Sequence, residues 1–205
     1  MPPRSSSRKP ANAKTPAAPT ALTLSIPPRR KLPSDLKKYF DLCDEKIGFL
    51  PNVLQAYSFD ETKLRAFIAM YNDLMLGDSE LSKLEREMIA VVVSAANRCY
   101  YCLVAHGQAV REMSSDPTLG EMLVMNYRVA KVSKRQRAML DFAHRLTSTP
   151  SDVGEDARQQ LRKAGWSDRA IWDIAAITGF FNMTNRLATA TDMMPNEEYH
   201  GRSRG

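Results

Sequence analysis

Ser82-Lys83-Leu84-Glu85 opens the stretch that most restricts the fold. The serine and glutamate have the spacing of a capping box. In that motif each side chain satisfies a backbone N–H that the first helical turn leaves orphaned. From Met88 to Ala96 no charge interrupts the chain. The valines alone could form a strand, but the cap, the length and the alanines predict a helix over 84–96. A helix apolar on every side must be enclosed by other elements.

Those elements also read as helices. Ser34 is expected to cap a helix to about Lys46, in which Leu36, Tyr39, Phe40 and Cys43 share one face. A thiol on such a face packs as a small hydrophobe, so Cys43 is expected in the core. Gly48 and Pro51 mark a turn, and a short helix starts at Asn52. A longer helix spans about Asp60 to Leu76 and stops at Gly77-Asp78. Asn97-Arg98 separates the central helix from one running from about Cys99 to Met113. Asp116-Pro117 opens another with proline in its first turn. Ser133 caps a helix to about Leu146, Gly154 to Lys163 forms a short polar one, and Ser167 begins the last, to about Thr191. No segment alternates with period two. The expected fold is all-α.

The N-terminus is of a different kind. Residues 1–34 hold seven basic side chains and no acid, and eight of the twelve prolines fall within 1–33. Residues 1–33 are expected to be a disordered basic arm, or one ordered only against a neighbouring subunit, with the helical domain in 34–205. Without those seven cations the net charge of +6 becomes −1. The domain therefore gives no ground for nucleic-acid binding, although the arm could meet an acidic partner. The apolar runs are too short to cross a bilayer, and the basic start has no apolar signal core. Three cysteines, two of them close together, do not make a secreted disulfide framework. A reducing, cytoplasmic setting away from the membrane is expected.

Those two cysteines lie in Cys99-Tyr100-Tyr101-Cys102, and His106 follows four residues later. On a helix the three share one stripe. Cys99 in the first turn would have its thiolate favoured by the helix dipole. Cys102, one turn in, needs a base, and His106 is within reach of it. If the two helices fold back at 97–98, Glu87 comes level with about residue 108, close to His106. Glu87 heads an apolar run, and a carboxylate entering the core requires a partner.

Glu87, Cys99, Cys102 and His106, with the surrounding run from Leu84 to Gly107, resemble the alkylhydroperoxidase AhpD core of the carboxymuconolactone decarboxylase-like superfamily. The branch it looks like is often labelled peroxidase-related. The resemblance extends from about Gly48 to Asp192 and leaves out the basic arm. It implies an AhpD-like helical bundle, often with two related halves, working as a homo-oligomer. It also implies a thiol-dependent peroxidase of the peroxiredoxin type. Glu87 acts through His106 to deprotonate Cys102, Cys102 attacks the peroxide, and Cys99 resolves the sulfenic acid to a disulfide. A dithiol donor, in the best-known members a lipoyl-bearing protein, re-reduces the pair. No cofactor and no metal is implied. One departure is Tyr101, where those members carry histidine; a phenol donates a hydrogen bond but is a poor base near neutral pH. Tyr100 and Tyr101 are candidates to line the substrate pocket or a subunit contact. Phe181 to Leu187 resembles a degenerate echo of the cysteine motif, with Asn182 and Asn185 in place of the sulfurs.

Other readings compete. Cys99, Cys102 and His106 could hold zinc if His144 or Cys43 supplied a fourth ligand. The same fold could serve as a redox sensor or disulfide reductase without peroxide turnover. A decarboxylase would not need the thiol pair. No nucleophile elbow and no glycine-rich phosphate loop is present.

Overall fold

The computed structural model describes residues 18–204, and every regular element among them is a helix. The central one is α4 (Lys83–Asn97). Ser82 and Glu85 form the capping box at its start, and the side chains from Glu85 to Ser94 are buried in succession. It is enclosed by α5 (Tyr100–Ser114), α6 (Pro117–Asn126), α7 (Lys134–Ser148) and α9 (Asp168–Ala190). Ile89, Val91 and Val93 on α4 meet Leu140, Ile174 and Ile177 in one continuous core. Burial of each such side chain contributes about 1.5–3 kcal/mol.

Local chemistry explains the boundaries. Arg98 ends α4 in the left-handed conformation, φ 55°, and turns the chain so that α5 packs back along α4. Asp116 accepts from the Thr118 N–H to start α6, and Ser133 and Gln136 form a second capping box on α7. At α1 (Ser34–Ile47) no side chain caps the start; Pro33 stands at that position and its carbonyl accepts from the Lys37 N–H. The short α2 (Asn52–Tyr57) follows.

The helix expected over 60–76 divides. Its first part is α3 (Glu61–Tyr71), and Asn72–Leu76 widen into a π turn. A Cβ on Gly77 would lie 2.5 Å from the Asp73 carbonyl oxygen, so the widened turn ends on the residue that can approach it. The turn aims the Leu74 carbonyl at the buried guanidinium of Arg86, which also donates to the Leu81 carbonyl.

The expected arm needs correction over its second half. Residues 1–17 lie outside the described part, but 18–33 rest on the domain. Thr20 and Leu32 are buried, and the Ala21 N–H donates to the Thr191 carbonyl. Arg29 pairs with Asp41 and Asp44 of α1. Apolar residues among the prolines and the acids on α1 hold the segment down, a pairing that composition does not reveal. The remaining helices are α8 (Glu155–Lys163) and a short α10 (Glu198–Gly201) near the C-terminus. No described helix is long and apolar enough to cross a membrane.

Candidate active site

The α4–α5 hairpin brings Glu87 against His106. The Glu87 carboxylate accepts from His106 Nδ1 at 2.6 Å, with both side chains largely buried. An ionised carboxylate can only accept, so Nδ1 carries a proton, and in the neutral imidazole Nε2 is the acceptor. The His106 and Phe181 rings pack nearly perpendicular, centroids 4.6 Å apart, which restricts the imidazole plane.

Both cysteines are free thiols and nearly inaccessible from outside, Cys99 at 1% exposure and Cys102 at 4%. Cys99 stands one residue before the first turn of α5, at the N-cap, and not within that turn as expected. The neighbouring Cys102 thiol, the Cys102 N–H and the Thr189 hydroxyl all favour its thiolate. Against the cost of burial they bring its pKa down to about 7. Cys102 moves the other way: hydrogen bonding to Cys99 and then burial hold it protonated, while Asn185 and Ser94 favour its anion. The pair thus holds one proton readily released and one retained.

Cys102, not Cys99, faces a cavity of about 130 Å³. His106 lines the same space, with Tyr71, Tyr101, Phe180, Phe181 and Tyr199 among its aromatic walls. That is comparable to the ~150 Å³ that holds a benzene-sized molecule in an apolar core. Cys43, expected as a core thiol, is buried and also lines this cavity; burial raises its pKa. The two tyrosines of the motif divide. Tyr101 lines the cavity and accepts from the Val53 N–H at 3.0 Å, while Tyr100 is 53% exposed and its hydroxyl lies 3.4 Å from His200 Nε2.

Asn182 and Asn185 bond to the end of α4, and Asn185 also meets the Cys102 thiol. Asn97 Nδ2 donates to both amide oxygens, at 3.1 Å and 3.0 Å, and Asn185 Nδ2 donates to Ser94 Oγ at 3.0 Å. His144 stands apart, packed on Tyr127 at 5.2 Å. Among the described residues no three His, Cys, Asp or Glu side chains converge as a metal site requires.

The sequence reading missed the C-terminal segment. Met193 and Tyr199 close one side of the cavity and pack in a cluster with Cys99 and Cys102. Asn52 fastens it with two donated bonds, its N–H to Asn196 Oδ1 at 2.7 Å and its Nδ2 to the Met194 carbonyl at 2.9 Å. The buried Arg111 of α5 donates to the carbonyls of Tyr199 and Arg202. No local pattern marks these as site residues; the only signal was an aromatic residue after the last long helix.

Known proteins share this fold. The model of the carboxymuconolactone decarboxylase family matches residues 63–143, which contain Glu87, both motif cysteines and His106. The crystal structure of an uncharacterized peroxidase-related protein from Silicibacter sp. TM1040 is 62% identical, with TM-score 0.88, over 94% of this chain and 100% of that one. An alkylhydroperoxidase AhpD core protein from Ralstonia eutropha JMP134, also described as uncharacterized and peroxidase-related, is 40% identical, with TM-score 0.87, over 91% and 97%. The debrominase Bmp8 shares the fold at 20% identity and TM-score 0.70, over 81% of this chain and 88% of that one. Among curated proteins nothing matches this chain.

Proposed function

Because the chain belongs to the AhpD/carboxymuconolactone decarboxylase-like family, we propose that it is a thiol-dependent peroxidase working through Cys99 and Cys102. The observation that carries this reading is the opening of Cys102 onto an aromatic cavity that it shares with His106, whose Nδ1 is held by Glu87.

Cys102 is the attacking thiol in this reading, because it is the sulfur a substrate in the cavity can meet. Its proton leaves toward the cavity side through His106 Nε2, or toward Cys99, whose thiolate lies beside it. Attack breaks the O–O bond of ROOH: one oxygen becomes Cys102–SOH and the other departs as ROH after taking a proton. Cys99 then attacks the sulfenic sulfur, water leaves, and the Cys99–Cys102 disulfide forms. The sum is ROOH plus two thiols giving ROH, water and one disulfide. Glu87 stabilises the imidazolium whenever His106 holds the extra proton. A dithiol donor returns the pair to the reduced state by exchange, and assembly as a homo-oligomer is part of the same reading.

The test is peroxide consumption by the reduced protein, with free thiols counted before and after. Loss of two thiols per chain, abolished in Cys102→Ser, supports the reading. Oxidation of the pair by disulfides but not by peroxides points instead to a redox sensor or disulfide reductase on this fold. A sulfenic acid trapped on Cys99 in Cys102→Ser would reverse the order of the two thiols.

A further inference from the structure

The cavity wall carries more hydroxyls than an apolar pocket needs. Tyr39, Tyr57, Tyr71, Tyr101 and Tyr199 all line it. Tyr39 donates to Asn72 Oδ1 at 3.0 Å, and the Tyr101 oxygen accepts from Val53. The hydroxyls of Tyr57, Tyr71 and Tyr199 have no hydrogen-bond partner among the described residues. A phenol enclosed in protein ordinarily finds one. Among the described residues, fully enclosed side-chain nitrogens and oxygens without a partner occur only on Arg29. These three hydroxyls are therefore not sealed in, and all three residues line the cavity.

Tyr71 is carried by α3 and Tyr199 by the C-terminal segment, so the two approach from different parts of the fold. Burial first, and then the Glu87 carboxylate, push both phenols upward. They stay protonated at any working pH and can only be donors when they meet an acceptor oxygen. Tyr57 shares the wall without feeling that carboxylate.

We propose that Tyr71 and Tyr199 bind the polar end of the substrate, their phenol O–H groups donating to the oxygen of a small molecule whose apolar body fills the aromatic part of the cavity beside Cys102. The assignment rests on the peroxidase reading only in calling that molecule an organic hydroperoxide. The phenols keep their protons throughout; they orient the oxygen and lose nothing to it.

The probe is 2-phenyl-2-propanol, the alcohol that reduction of cumene hydroperoxide leaves. Its binding to the reduced full-length protein is followed by NMR, with cumene, which lacks the hydroxyl, as the control. Tyr71→Phe and Tyr199→Phe are each expected to weaken alcohol binding about 3- to 10-fold, the range of one net hydrogen bond, and to leave cumene binding unchanged. Alcohol affinity unchanged in both variants overturns the assignment. So does an equal loss for cumene, which would mean the rings only shape the wall, and so does a parent protein that binds no alcohol. No turnover enters this readout. Hydroxyl-dependent binding by a protein that consumes no peroxide would uphold the two donors and remove the peroxidase reading alone.

Discussion

Glu87 on α4 and His106 on α5 face one another across the hairpin turned by Arg98, carboxylate oxygen to Nδ1 at 2.6 Å. Nineteen residues apart in sequence, they form the one carboxylate–histidine pair among the described residues. The pair fixes which imidazole nitrogen remains for the cavity.

His106→Gln is expected to lower kcat/KM for a peroxide about 100-fold, the lower end of what a positioned acid–base group contributes. Glu87→Gln should cost less, because an amide oxygen can still accept from Nδ1 while the stabilising charge is gone. Steady-state kinetics on both variants, with circular dichroism to check the fold, measure this. Equal activity in His106→Gln and the parent would remove the relay.

Thiolate ultraviolet absorbance, titrated from acid to alkali, should reveal one ionisation near neutrality. Cys99 has its pKa lowered to about 7, below an ordinary thiol. The sign is that of an acid: thiolate, and with it alkylation by iodoacetamide, falls as pH drops through that value. Cys102→Ala removes the largest cause of the shift, so the midpoint should move upward. A midpoint that stays put would assign the low value to the backbone and dipole instead.

Loosening the C-terminal segment should uncover the sulfurs. Arg111→Met leaves the carbonyls of Tyr199 and Arg202 without their buried donor, a cost of about 1–3 kcal/mol. Asn196→Ala removes the acceptor of the Asn52 N–H and the donor to the Leu50 carbonyl. Both variants are expected to react faster with a thiol-blocking reagent under native conditions, with secondary structure intact. Blocking rates equal to the parent's would mean that the thiols are reached by another route.

Asn185→Ala removes the donor to Ser94 Oγ and one of the two acceptors of Asn97 Nδ2, both supplied by the buried Asn185 amide. A loss of about 1–3 kcal/mol in urea unfolding is expected. A loss below about 0.5 kcal/mol would show that the freed groups find water.

Much of the frame was legible because its causes are local. Ser82 with Glu85, Ser133 with Gln136, and Asp116 before Pro117 mark helix starts through bonds that span two or three residues. The π turn at 72–76 was not legible, since a widened turn has no signature beyond Gly77 at its end. The order of residues 18–33 was hidden because it depends on Asp41, Asp44 and Thr191, which are distant in sequence.

By itself the sequence determined that a buried helix leads through Arg98 into a second helix, and that Glu87 on the first faces His106 on the second, with Cys102 one turn before it. Helical period and backbone capping suffice for that. Only the tertiary structure decided that Cys102 meets the cavity while Cys99 does not, that Tyr71, Met193 and Tyr199 line that cavity, and that Asn185 meets the Cys102 thiol. Those residues come from α3, α9 and the C-terminal segment. They meet because apolar faces must be covered, and covering is a relation between surfaces that no short stretch of chain encodes.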